Sequence, residues 1–136
     1  MRILALDHGT KRIGVAVSDK LKMIAQPLEY IPAVSFAKFL SRLKEIIREK
    51  EVELIILGMP RNMDGSYGPA ALKVQEFAAV LKDAITIPIQ TLDERLTTVQ
   101  AQRFLIQVGA RRDKRKEKVD KTAAAILLQS YLDGLQ

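Results

Sequence analysis

Cysteine and tryptophan are absent from the 136 residues, and histidine occurs once, as His8. Without cysteine there is no disulfide scaffold, no thiolate zinc site and no cysteine nucleophile. A single histidine excludes a His-pair metal site or a zincin helix. Any metal must then be held mainly by carboxylates, which favours hard ions such as Mg²⁺ or Mn²⁺. Aromatic residues make up only 5% of the chain, which argues against a base-stacking surface of the OB-fold or RRM kind. Long apolar runs are missing too. Ile3 to Leu6 is too short for a signal-peptide core and is stopped by Asp7. No run approaches the roughly 18 residues of a membrane span. A cytoplasmic protein without a membrane partner is therefore expected. No internal repeat, low-complexity segment or Pro/Gly/Ser linker interrupts the chain.

What is present suits one core. The chain is 48% hydrophobic and 28% charged, with a mean hydropathy of +0.01. One globular domain over residues 1–136 is expected. Charge is uneven. The formal net charge is +6, from 22 Lys and Arg against 16 Asp and Glu. Residues 103–121 alone hold 8 basic and 3 acidic groups. Such asymmetry suggests a polyanionic partner, nucleic acid before anionic membrane, against the plainer alternative of a solvated patch.

The pattern of apolar residues gives strands first and then an alternation. Ile3 to Asp7 is a buried strand, and Gly9-Thr10-Lys11 suits a hairpin into a second strand, Arg12 to Ser18. Ala25 to Ile31 is a third strand, kept near an edge by Pro27. Ser35 is a candidate N-cap for a helix reaching Glu49. Leu54 to Leu57 is a strand buried on both faces. Residues 59–67 are a polar loop with Asp64-Gly65 as its turn signal. Pro69 opens a helix to Lys82, and Ile85 to Leu92 is a fifth strand near an edge. Thr97 to Val108 is a helix with a capping-box start and Gly109 at its end. A last helix runs from Lys116 to Leu135, preceded by a basic loop.

The resulting β-β-β-α-β-α-β-α-α order predicts an α/β fold, a mixed five-stranded sheet with helices on both faces. Right-handed crossovers place the fourth strand beside the first. Connection order reverses there, and ligands of open α/β sheets bind at the carboxyl ends of strands at such a point.

Three carboxylates are candidates for that point. Asp7 ends the first strand, although an Asp can equally cap the Gly9-Thr10 turn. Glu94 follows the fifth strand, with a surface pair to Arg95 as its plainer reading. Its neighbour Asp93 competes for the same role, and the sequence pattern leaves the choice open. Asp120 falls within a helical stripe of Val119, Ala123, Ile126, Leu127 and Tyr131, where a polar residue needs a reason. A salt bridge to Lys116 or Lys121 would be one. Three acids from distant parts of the chain outline a metal site. A pair of Mg²⁺ or Mn²⁺ ions about 3.5–4 Å apart would clamp a phosphodiester and activate water.

These residues lie in four blocks: Asp7-His8-Gly9-Thr10-Lys11-Arg12-Ile13-Gly14-Val15-Ala16, Gly58-Met59-Pro60 with Asn62-Met63-Asp64-Gly65-Ser66, Asp93-Glu94-Arg95-Leu96-Thr97-Thr98, and Val119-Asp120-Lys121-Thr122 through Gln129. Together, in order and over nearly the whole chain, they closely resemble the YqgF family, also called RuvX. The resemblance implies an RNase H-like fold. It also implies a nuclease that processes the 5′ end of pre-16S rRNA in ribosome biogenesis. Family members were earlier described as Holliday junction resolvases by similarity to RuvC. It implies Asp7, Glu94 and Asp120 as the acidic catalytic and metal-binding residues, and so favours Glu94 over Asp93.

The remaining segments complete the expectation. Backbone amides of Gly9-Thr10-Lys11, with Lys11 or Arg12, can meet a phosphate, or the segment is only a hairpin. The same Asp-x-Gly-Thr pattern resembles the phosphate loop of actin-like ATPases, which need two such domains. Arg61 and Asn62 could touch the substrate backbone, or their loop is only a turn. His8 is read as a structural neighbour of the site. Arg111, Arg112, Lys114, Arg115, Lys116 and Lys118 are expected to recruit phosphate by counterion release. The expected partner is structured RNA, pre-16S rRNA. The alternatives are branched DNA cut by a resolvase-like endonuclease, and a nucleic-acid-binding module with weak or no catalysis.

Overall fold

The computed structural model describes residues 1–60, 64, 66–93 and 112–135, and within 112–122 the backbone only. The elements are β1 (Arg2–His8), β2 (Arg12–Ser18), β3 (Ala25–Pro32), α1 (Phe36–Lys50), β4 (Val52–Met59), α2 (Pro69–Ala84), β5 (Ile89–Asp93) and α3 (Arg112–Gly134). The five strands form one sheet in the order β3-β2-β1-β4-β5. β1 pairs antiparallel with β2 and parallel with β4. The strands carrying Pro27 and flanked by Pro88 are the two edges, where a missing N–H costs least. The expected helix from Thr97 to Val108 lies outside the described residues.

Strand alternation divides the core in two. Leu4 and Leu6 of β1 join Ile13, Val15, Ile55 and Leu57 beneath α1 and α2, packed on Phe39, Leu43, Ile46, Val74 and Leu81. Ile3 and Ala5 join Ala16 and Ile56 on the opposite face, under Ala124, Ala125, Leu127, Leu128 and Leu132 of α3. A fully buried side chain such as Leu6 or Phe39 contributes about 1.5–3 kcal/mol.

Two boundaries depart from the sequence expectation. β5 starts at Ile89, because Ile85 instead ends α2, its N–H donating to the Leu81 carbonyl at 2.9 Å. Pro88 has no N–H for the ladder, although its carbonyl still accepts from Ile55 at 3.0 Å. α3 starts at Arg112, so residues 112–115 are helix and not the basic loop expected. Lys, Arg and Glu are strong helix formers, and neither Gly nor Pro interrupts the run.

The sheet-facing row of α3 also differs. Ala124, Leu128 and Leu132 are buried, whereas Ala123 and Tyr131 are only half-buried. Asp120 is a helical residue four positions before Ala124. Gln129 anchors the helix to the sheet. Its Oε1 accepts from the Ala25 N–H at 2.9 Å, and its Nε2 donates to the Met23 carbonyl at 3.0 Å.

Candidate active site

Asp7 has the strand parity of Ile3 and Ala5, so it stands on the face covered by α3. It is half-buried at the carboxyl end of the central strand, between β2 and β4, where the connection order reverses. Among the described residues its carboxylate has no hydrogen-bond or ion-pair partner. The alternative of a turn cap is therefore not what the structure shows. The turn closes through backbone instead, the Gly9 N–H donating to the Arg12 carbonyl at 3.1 Å. A Cβ on Gly9 would come within 2.5 Å of that oxygen, so the turn needs glycine.

The register sets what faces Asp7. Gly14 pairs with Asp7 on one side and with Tyr30 on the other. Directly paired residues share a face. Asp7, Gly14 and Tyr30 thus form a row across β1, β2 and β3. They line a cleft of about 270 Å³ with Gly9, Thr10, Lys11 and Arg12. The Arg12 guanidinium lies 4.2 Å from the centre of the Tyr30 ring. Lys11 and Arg12, both expected to meet phosphate, therefore stand in one cleft with Asp7. Tyr30 was not legible as a site residue, because its place depends on the β2–β3 register.

His8 has the opposite parity and lies on the α1/α2 face. Its ring packs on Phe77 at 4.6 Å between centroids. Burial pushes its pKa below the usual 6.5, Asp7 opposes the shift, and Lys73 adds to it. A neutral imidazole turned to the other side of the sheet is a structural neighbour of the site, as expected.

The rival to Glu94 is placed more clearly. Asp93 pairs with Met59 and has the parity of Ile89, both packed in the core beneath α1 and α2. Leu92 has the parity of the α3 face. By alternation Asp93 is on the face away from Asp7.

Glu94, Arg61, Asn62 and Arg111 lie outside the described residues. Asp120, Arg112, Lys114, Arg115, Lys116 and Lys118 are helical residues of α3. Helical rise from Gln129 back to Asp120 is about 14 Å, and strand rise from Ile3 to Asp7 is about 13 Å. In the loop after β4, Asp64 Oδ1 accepts from the Ser66 N–H at 2.9 Å and from its hydroxyl at 2.6 Å. That is the turn its sequence suggested.

Among the described residues no three His, Cys, Asp or Glu groups stand together as a metal set. The described part still suits a hard cation. It offers one carboxylate at a strand end, open to the cleft, and no imidazole or thiol on its face.

The family described as "RuvX: Holliday junction resolvase" matches residues 1–134. The chain belongs to the RuvX family. A RuvX relative from Thermoanaerobacter pseudethanolicus, named "Putative pre-16S rRNA nuclease", is 53% identical over 135 residues, covering 98% of this chain and 97% of its own. A relative of the same name from a Geobacillus species is 48% identical and covers 100% of both chains. Among solved structures, the fowlpox virus Holliday junction resolvase matches with a TM-score of 0.56 at 15% identity, over 98% of this chain and 99% of that one. RuvC of Thermus thermophilus, bound to a Holliday junction substrate, matches with a TM-score of 0.52 at 17% identity, over 99% and 96%. At these identities the likeness concerns the fold, and the RuvX chain has the RNase H-like fold of the RuvC-type resolvases. No helix among the described residues is long and apolar enough to cross a membrane.

Proposed function

We propose that this RuvX chain is a metal-dependent nuclease that hydrolyses phosphodiester bonds in the 5′-end processing of pre-16S rRNA. One observation carries the reading. Asp7, a carboxylate with no hydrogen-bond or ion-pair partner among the described residues, stands at the reversal point of the sheet, in one cleft with the cations Lys11 and Arg12. A carboxylate beside phosphate-binding cations repels a polyanion unless a cation intervenes, so binding alone gives it no use.

Asp7, Glu94 and Asp120 would hold Mg²⁺ or Mn²⁺. Alternation supports the choice against Asp93, which has the parity opposite to that of Asp7. The similar rises from Gln129 to Asp120 along α3 and from Ile3 to Asp7 along β1 support Asp120 as a member of the set. When bound, such an ion polarises the phosphoryl group and lowers the pKa of a water. The residues of this chain do the rest. Lys11 and Arg12 hold the substrate backbone against the cleft. The three acids fix the direction of in-line attack by fixing where the charge sits. Arg112, Lys114, Arg115, Lys116 and Lys118 gather flanking phosphates from the first turns of α3, with Arg111 just before it and Arg61 and Asn62 on the loop after β4. The whole of residues 1–136 acts as one domain, and the site of action is the cytoplasm, where precursor rRNA is.

The RuvC-like fold favours a second reading, cleavage of branched DNA. A competition separates the two. Wild-type protein with Mn²⁺ is given labelled precursor 16S rRNA and a labelled four-way DNA junction together. Selective cutting of the RNA is expected. Selective cutting of the junction would reverse the assignment, and binding of either without metal-dependent cutting would leave a binding module.

A further inference from the structure

Asp7, Gly14 and Tyr30 form a row of three paired residues on one face of the sheet. The middle one has no side chain. Asp7 and Tyr30 therefore face each other across an open floor two strand spacings wide, about 10 Å. The far wall is a composite, since the Arg12 guanidinium lies on the Tyr30 ring at 4.2 Å. Arg12 has the same strand parity as Gly14 and sits at the rim, exposed, next to the glycine-dependent turn.

We propose that Tyr30 is a positioning residue. Its ring holds the Arg12 guanidinium so that the fork grips the phosphate one nucleotide away from the one placed at Asp7. This rests on the proposed nuclease function and assigns a part of the substrate to each wall. The bay is too wide for one phosphate to touch both walls, so the two walls hold successive phosphates of a single strand. An arginine suits the far wall better than a lysine. Its planar group can stack on the ring and still present paired N–H donors to phosphate oxygens, whereas an ammonium meets the ring only as a point charge and has no paired fork. The tyrosine face is already covered by Arg12, so the ring supports the cation and does not stack on a base.

The test uses the full chain and a fluorescein-labelled single-stranded RNA spanning the precursor 16S 5′ end. Steady-state cleavage is measured in Mn²⁺, and binding is measured in EDTA across a salt series. Tyr30→Leu is expected to raise KM about 2- to 5-fold with kcat unchanged, the worth of an exposed cation–π contact. Tyr30→Phe, which keeps the ring, restores the wild-type KM. Arg12→Gln raises KM about tenfold or more and lowers the salt slope of binding by about 0.7. In the Arg12→Gln background, Tyr30→Leu adds nothing. Should Tyr30→Leu fail to fold, Arg12→Lys decides, since it keeps the charge and loses the stack and fork, and its KM is expected to rise as well. A wild-type KM in Tyr30→Leu, or an equal Tyr30→Leu effect with and without Arg12, overturns the proposal. If wild type cuts neither RNA nor DNA, the nuclease reading fails separately, and the salt slopes still decide whether Arg12 grips a phosphate through Tyr30.

Discussion

The two faces of the sheet are built from different residues and serve different ends. Beneath α1 and α2 the strands offer Leu4, Leu6, Ile13, Val15, Ile55 and Leu57 to Phe39, Leu43, Ile46 and Leu81. Beneath α3 they offer Ile3, Ala5, Ala16 and Ile56, met by Ala124, Ala125, Leu127, Leu128 and Leu132. The first face is thick with large side chains and carries His8 as a half-buried ring whose pKa is lowered by burial. The second mixes alanines with fewer large side chains, and it carries Asp7, Gly14, Arg12 and Tyr30. Stability is concentrated on one side of the sheet and chemistry on the other. A one-residue shift in strand parity separates them, as Asp7 and His8 show.

The division can be broken from either side. On the large-residue face, Phe39→Ala should cost about 3–5 kcal/mol of unfolding free energy. Denaturant titration checks the cost, and cleavage per folded molecule should stay at the wild-type level. Loss of activity beyond the folded fraction would mean that the two faces are coupled. At the end of β5 the parity rule makes a paired prediction. Glu94→Gln should reduce cleavage by about a hundredfold or more, and Asp93→Asn should stay within a few-fold of wild type. Equal effects in single-turnover assays would show that parity does not assign the acids.

On the α3 face the expected failure is overpacking. Ala5→Leu forces a larger side chain under α3 and should cost about 1–3 kcal/mol. Unlike Phe39→Ala, it should also lower cleavage per folded molecule, because α3 carries Asp120. The smallest effect concerns His8. Its pKa is depressed by burial, so the folded state binds fewer protons than the unfolded state around and below pH 6.5. Its contribution is present above the unfolded value and is lost as pH falls through the folded one. In EDTA, the midpoint of urea unfolding should fall as pH drops below about 6.5. His8→Phe should flatten that dependence, and an unchanged slope would contradict the burial account.

Much of the fold was legible because each strand is short, apolar and bounded by turn signals. Proline placed β3 and β5 at the edges, and crossover handedness placed β4 beside β1. Asp7 could be read as a site residue because it ends a buried strand at the reversal point. The basic segment before Asp120 was harder, since charged residues without Gly or Pro can be either loop or helix, and 112–115 are helix. Tyr30 was invisible for a different reason. It is linked to Asp7 by the register Asp7–Gly14–Tyr30, set by two hairpins whose pairing the sequence does not spell out. The place of Asp93 opposite Met59 likewise depends on the register of β5 against β4, and the sequence pattern by itself left Asp93 and Glu94 open.

The most direct test compares wild type with Asp7→Ala on precursor 16S rRNA, in single turnover, with Mn²⁺ and with EDTA. Wild type should cut only with metal. Asp7→Ala should bind the RNA as well as wild type or better, unfold at a similar denaturant concentration, and cut at least about 10³-fold more slowly. Cleavage by Asp7→Ala at the wild-type rate, or cleavage by wild type in EDTA, would contradict a carboxylate–metal site on the face beneath α3.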